Sequence, residues 1–298
     1  MTSPARYGVL TPGLSLAGPA DTHPQWERDI TPAELLAIAE AADRLGYDHL
    51  YCSEHVGIPP EVEAVRGGRY YDPLSTLGFI AAATRRIRLT TYVLVLGYSH
   101  PLEICKRYGT LDRLSGGRVV LGLGVGSLRP EFDLLGLGGA EFTERGPRGD
   151  DALRAIRASF AQRLPEYNGP HYDYSGFIID PCGVQSHVPF WIGGRTRRSL
   201  RRAVELGEGW MPFGLGYEEL KAMIAWGREL PGWSAREKPV DLVLRDERAV
   251  DPMGDPARAA ETIGRLFGIG ATYYSASIKA RDCSHYLEQL EALAELKV

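Results

Sequence analysis

The chain holds four cysteines, Cys52, Cys105, Cys182 and Cys283, scattered over 298 residues with no Cys-x-x-Cys pair. That set makes neither a disulfide framework nor a zinc site, and it suits a reducing compartment. No apolar run approaches ~18 residues, the length a membrane-spanning helix needs. The N-terminus lacks the basic, apolar and small-residue succession of a signal peptide. There is no excess of positive charge: the formal net charge is -4, which speaks against nucleic acid or an anionic membrane surface as the main partner. Lysine is scarce, five of the 34 basic residues, a bias of composition more than of mechanism. Apolar residues, by contrast, make up 44% of the chain, ample for a buried core. The expectation is a single cytoplasmic domain spanning 1–298 that acts on a small molecule, with no nucleic acid and no membrane involved.

The richest stretch runs from Arg86 to Gly126. Two β-rich apolar runs, 87–96 and 118–124, flank a segment of helical period, 101–114, as in a right-handed βαβ unit of a parallel sheet. The first run carries Thr91-Tyr92; the second ends in Gly124-Val125-Gly126-Ser127. In parallel α/β folds ligands sit at the carboxyl ends of strands, so these ends mark where chemistry is expected.

Further strands are expected near 6–11, 48–53, 188–193, 208–213, 239–246 and 271–278. Helices are expected near 32–45, 73–85, 148–163, 196–206, 216–229, 255–268 and 284–296. Eight strands alternating with eight helices predict a closed (β/α)8 barrel, and the length is typical of that fold. Thr31-Pro32-Ala33-Glu34 reads as a capping box with proline at the first helical position, and Gly46 ends that helix. Asp72-Pro73 and Asp255-Pro256 open helices in the same way. Segments 54–71 and 125–147 are long loops at strand ends, where active-site loops lie. Segment 164–187 reads as a hairpin inserted before the fifth strand.

Glu54 and His55 stand where the second strand meets its loop. A carboxylate and an imidazole at a barrel rim suit ligand binding and proton transfer; a surface carboxylate and a structural histidine are the plain alternative. Gly122 to Ser127 lacks the G-x-G-x-x-G spacing of a dinucleotide turn, and reads as a strand end over which a flat ring can pass. Gly193-Gly194-Arg195-Thr196 joins a strand to a helix start, a favourable place for a phosphate. Arg195, Arg197, Arg198, Arg201 and Arg202 form a basic cluster; Arg198, Arg201 and Arg202 are expected on one helix face. A solvated surface is the plain reading, and a strip for an anionic tail the sharper one. Trp26, Trp191 and Trp210 read as core or pocket walls. His23, His100, His171, His187 and His285 lack metal-ligand spacing, and no metal is expected.

The run from Leu111 to Gly126, together with Pro189-Phe-Trp-Ile-Gly-Gly194 and Arg201-Arg-Ala-Val-Glu-Leu-Gly-Glu-Gly-Trp210, resembles the luciferase-like monooxygenase superfamily. Ser53-Glu54-His55, Tyr71-Asp72-Pro73-Leu74 and Thr143-Glu144-Arg145 recur in the same order, and the set is most similar to the coenzyme F420-dependent oxidoreductases. The resemblance implies a (β/α)8 barrel holding a deazaflavin or flavin at the strand ends, and a homodimer. It implies His55 near the reactive ring carbon and Glu54 beside the ring. A non-proline cis peptide at Tyr92-Val93, on the strand carrying Thr91, would support the ring face. Gly126 and Ser127 would line the groove. Gly193, Gly194, Arg195 and Thr196 would hold the phosphate, and Arg145 would contact a phosphate or a loop. Two departures stand out: Glu54 replaces the common aspartate, and bulky Tyr92 replaces a small residue, which bears on pocket size.

Three functions compete. The first is hydride transfer between F420 and a small organic substrate. The second is an FMN-dependent monooxygenase on the same barrel. The third is a non-catalytic flavin-binding protein, disfavoured by His55 at the rim. A hydrolytic barrel is remote, because Glu54 has no second carboxylate evident at another strand end.

Overall fold

In the computed structural model, which describes residues 6–16 and 22–298, eight parallel strands close on themselves. They are β1 (Tyr7–Leu10), β2 (His49–Cys52), β3 (Arg88–Thr91), β4 (Val119–Gly124), β5 (Phe190–Gly193), β6 (Gly209–Met211), β7 (Asp241–Leu244) and β8 (Tyr273–Ala276). β1 lies between β8 and β2, and the β4–β5 pairing, with Phe190 opposite Leu121 and Ile192 opposite Leu123, closes the circle. The main helices are α1 (Pro32–Leu45), α2 (Pro73–Ala83), α3 (Pro101–Ser115), α4 (Arg145–Ser159), α5 (Arg197–Leu206), α6 (Tyr217–Arg228), α7 (Pro256–Gly268) and α8 (Cys283–Glu295). This is the expected (β/α)8 barrel. Among the described residues no helix is long and apolar enough to cross a membrane.

The helix starts follow local chemistry. The Glu34 N–H donates to Thr31 Oγ1 at 3.3 Å while the Thr31 N–H donates to Glu34 Oε2 at 2.8 Å, a closed capping box. Gly46 ends α1 at φ +85°, a backbone region glycine enters without steric cost. Asp72 and Asp255 accept the N–H groups of Ser75 and Arg258 at the starts of α2 and α7. His100 does the same for α3, accepting the Leu102 N–H on Nδ1.

Side chains pointing outward from the strands pack under the helices in one large apolar layer, including Leu50, Leu89, Leu121 and Phe190. A smaller cluster fills the barrel itself: Tyr51, Val120, Trp191, Met211 and Val243, against Leu10, Tyr92, Val93 and Tyr273. Each fully buried aliphatic side chain contributes about 1.5–3 kcal/mol.

The third strand departs from expectation. It does not run unbroken over 87–96; it stops at Thr91, the Tyr92–Val93 peptide is cis, and Leu94–Val95 pairs again alongside β4. Val93 packs against the cluster inside the barrel and close on two glycines, where a Cβ on Gly124 or Gly193 would come within 2.6 or 2.5 Å of its methyls. The long loops also carry order of their own. Residues 54–71 include a short helix, Glu63–Arg66, and a strand, Arg69–Tyr70, that pairs antiparallel with Ser15–Leu16. Residues 125–147 include helices Arg129–Leu134 and Ala140–Thr143, and α4 begins at Arg145, before the expected 148. The inserted hairpin pairs Tyr167–Asn168 with Asp173–Tyr174 and is tied to α4 by Asp151, which accepts the Tyr167 hydroxyl and the His171 N–H.

Candidate active site

β2 delivers Glu54 and His55 to the carboxyl-terminal rim. Glu54 reaches across to the segment beyond the cis peptide, where its Oε2 accepts the Val95 N–H at 2.6 Å. Burial pushes its carboxyl up to about 7, with the Val95 N–H and Arg107 pulling down and Asp72 and Glu131 adding to the rise. Near neutral pH this group is therefore poised between its two protonation states.

His55 faces a residue the sequence reading did not single out. Its Nδ1 lies 2.8 Å from Oε2 of Glu131, on the short helix Arg129–Leu134. Glu131 is 1% exposed. Its Oε1 accepts the N–H groups of Val56 and Gly57, and Oε2 also accepts the Tyr98 hydroxyl. Burial raises the Glu131 carboxyl, but the bonds from His55, Tyr98 and Val56 outweigh it and leave the group below the usual range, hence ionised. The His55 ring packs edge-on against Tyr70, centroids 4.4 Å apart, and among the described residues Nε2 makes no hydrogen bond. Glu131 and Tyr98 gave no signal in the chain: a lone glutamate in a long loop and a tyrosine between two elements have no diagnostic spacing.

The wall between β3 and β5 is built from Tyr92, Val93 and glycines. The Tyr92 ring packs on Tyr51, centroids 5.0 Å apart, and its hydroxyl donates to the Pro212 carbonyl at 3.3 Å. Thr91 is fully buried and donates to the Gly122 carbonyl at 2.7 Å, so its hydroxyl belongs to the sheet wall. Gly126 adopts φ +77°, with Phe132 and Val95 where a Cβ would stand. Arg145 donates from Nε to the Gly126 carbonyl at 3.2 Å and stacks on Phe142 at 4.2 Å. The Ser127 hydroxyl accepts from Arg66, joining the loops after β4 and β2.

At the far side, Thr196 caps α5 through a reciprocal bond with Ser199. Gly194 sits at φ +123° with its carbonyl accepting from Trp210 Nε1 at 3.1 Å. Arg195, Thr196, Arg197 and Arg198 are exposed. The basic cluster splits, contrary to the expectation that Arg198, Arg201 and Arg202 share one face. Arg197 and Arg201 lean on the Trp226 ring of α6. Arg202 turns towards α4, where it pairs with Asp150 and donates to the Gly146 carbonyl, and Arg198 lies beside Gly146. Pairs spaced i, i+4 stack along the helix, and here each pair meets a different neighbour. Trp191 and Trp210 are fully buried, and Trp26 is half-buried against Tyr286. Among the described residues no cluster of side chains could hold a metal ion.

The rim carries a carboxyl near neutrality and an ionised carboxylate on one imidazole nitrogen, and the α5 start carries exposed guanidinium groups. Two carboxyl groups whose surroundings move their titration in opposite directions can serve different proton-handling roles.

Residues 6–290 match the model of the luciferase-like monooxygenases. An F420-dependent glucose-6-phosphate dehydrogenase of Microbacterium testaceum is 32% identical over 181 residues, 60% of this chain and 52% of that protein. Two solved structures share the fold. A monooxygenase from Streptomyces bottropensis has a TM-score of 0.74 at 21% identity, covering 98% of each chain. The FMN-bound oxygenating component of 3,6-diketocamphane monooxygenase, from Pseudomonas putida, has a TM-score of 0.72 at 14% identity, covering 99% of this chain and 98% of that one. With its closed barrel and a family match over nearly its whole length, this chain belongs to the luciferase-like monooxygenase family.

Proposed function

We propose that this enzyme is a coenzyme F420-dependent oxidoreductase that moves a hydride between the deazaflavin and a small unsaturated, carbonyl or alcohol substrate. The observation that carries the reading is the α5 start. Arg195, Arg197 and Arg198 are exposed beside Gly193 and Gly194, and among the described residues none of the three has a carboxylate partner. Both F420 and FMN carry a phosphate that this turn suits, with its helix N-terminus and adjacent guanidinium groups. Only F420 continues into an oligoglutamate tail, and the exposed guanidinium groups, that of Arg197 resting on the Trp226 ring, suit those carboxylates. The F420-dependent dehydrogenase among the relatives points the same way.

When bound, the deazaflavin supplies or accepts the hydride. The protein's own residues would bind, orient and handle the proton. Gly193, Gly194, Arg195 and Thr196 would hold the phosphate. Tyr92, Val93, Gly126 and Ser127 would border the ring and its side chain. Arg145 donates to the Gly126 carbonyl and lines the cavity it shares with Tyr98, His100 and Arg148. Glu54, balanced near neutrality, would lie beside the ring, and His55 would exchange a proton with substrate at Nε2.

Two features favour FMN as the alternative: Arg145 matches an arginine that contacts a phosphate or a loop in some flavin members, and the Pseudomonas putida neighbour binds FMN on the same fold. Titration with F420 and with FMN separately, followed by tryptophan fluorescence, separates the two. Trp210 reports directly, since its indole bonds to Gly194. Selective F420 binding is expected; FMN binding with F420 ignored would overturn the reading.

A further inference from the structure

We infer that Glu131 is a positioning residue that keeps the proton of the neutral His55 imidazole on Nδ1 and leaves Nε2 with the open lone pair. Four groups surround this one carboxylate. Oε1 accepts the Val56 and Gly57 N–H groups, which cannot reverse direction. Oε2 accepts the Tyr98 hydroxyl and faces His55 Nδ1 at 2.8 Å. An ionised carboxylate only accepts, so His55 must present an N–H on Nδ1. The carboxylate is 1% exposed, and water does not compete for the position. The same contacts tie the loop after β2 to the helix Arg129–Leu134, so the ring is aimed as well as protonated on a chosen nitrogen.

The isosteric change Glu131→Gln makes the logic testable. Its amide oxygen must serve the two backbone N–H groups, because an amide NH2 there would meet donors head-on. The NH2 then faces His55 Nδ1 and the Tyr98 oxygen. Both can adapt by accepting, which moves the imidazole proton to Nε2. Volume and bond count are kept while the tautomer reverses. The functional weight of this inference rests on the proposal that His55 exchanges a proton at Nε2.

The experiment is a long-range 15N–1H correlation on protein labelled at histidine, without cofactor, at pH about 9, above the ordinary imidazole range. The His55 signals are assigned by their loss in His55→Asn. The wild-type protein should show Nδ1–H, Tyr98→Phe should keep Nδ1–H, and Glu131→Gln should show Nε2–H. Nε2–H in the wild type overturns the inference without any variant, and so does Nδ1–H retained in a folded Glu131→Gln. In the loaded enzyme, Glu131→Gln should keep F420 affinity within about threefold while turnover falls by ~10²-fold or more. Unchanged turnover would overturn the positioning role. Failure of the wild type to bind F420 would instead overturn the cofactor assignment and leave the tautomer measurement standing.

Discussion

Two histidines six residues apart on and after β2 show how one side chain is put to opposite uses. His49, inside the barrel, is fully buried, and both ring nitrogens are engaged: Nδ1 with Asp48 at 2.6 Å and Nε2 with the Tyr51 hydroxyl. Rings of Tyr51, Trp191 and Tyr273 stand edge-on around it, and Gly8 is so close that a Cβ there would meet Nε2 at 1.9 Å. Burial pulls its pKa down, Asp48 pulls it back up and Arg88 lowers it again. His55, at the rim, has a carboxylate on Nδ1 as well, but its other nitrogen is open and its side chain is 18% exposed. A carboxylate partner alone therefore does not mark an acid–base group. The closed histidine holds the barrel together; the open one can meet a substrate.

The comparison breaks most decisively through His49. His49→Ala removes a packed ring and takes one partner each from Asp48, which keeps Arg88, and Tyr51, which keeps Ser275, so unfolding should become easier by about 3 kcal/mol. Urea denaturation measures it; a stable variant with lost turnover would erase the distinction between the two histidines. His55→Ala should shift the balance: turnover ~10²-fold lower or more, with a smaller loss of stability than His49→Ala, because the buried Glu131 carboxylate loses one donor but keeps Val56, Gly57 and Tyr98. Oxidation of reduced F420 by a ketone or enone acceptor follows the rate, and wild-type turnover would remove His55 from the chemistry.

A pH-dependent effect separates the two carboxyl groups of the rim. Glu54 has a folded pKa of about 7 against an ordinary 4.5, so the folded protein binds that proton more tightly than the unfolded chain. Its contribution to stability is complete below pH 4.5 and is lost as pH rises through 7, on the order of 3 kcal/mol. Glu131 has the opposite sign: its folded pKa lies below 4.5, and its contribution is present above that value and lost on acidification. Glu54→Gln, which can still accept the Val95 N–H, should therefore lose less stability than wild type between pH 5 and pH 8. Parallel melting curves would refute the burial account. The smallest effect concerns the tail. Exposed charge contacts are worth ~1 kcal/mol or less and are screened by salt. F420 affinity should rise modestly with glutamate count at low salt, and less so in Arg197→Gln/Arg198→Gln. A flat response in the wild type would return these arginines to the role of a solvated face.

The barrel was legible because its signals are local and repeated. Caps at Thr31, Asp72 and Asp255 and the alternation of apolar runs with helical periods need no tertiary knowledge. Residue-level foresight for Tyr92–Val93 came from resemblance to known proteins, since no propensity in Thr91-Tyr92-Val93-Leu94 announces a cis bond. Glu131 and Tyr98 were illegible because their meaning depends on a contact 76 residues away along the chain. The split of the arginine cluster was illegible for a related reason: helical spacing says which residues are neighbours, while Trp226 and Asp150 decide where each one turns.

The most direct measurement is a crystal structure of the protein with F420 bound. The deazaflavin ring is expected against Tyr92 and Val93, the phosphate at Gly193–Thr196, and His55 Nε2 facing the space above the ring, about 3–3.5 Å from a reacting atom once substrate is present. A ring bound elsewhere, or an imidazole whose Nε2 turns away from it, would contradict the account.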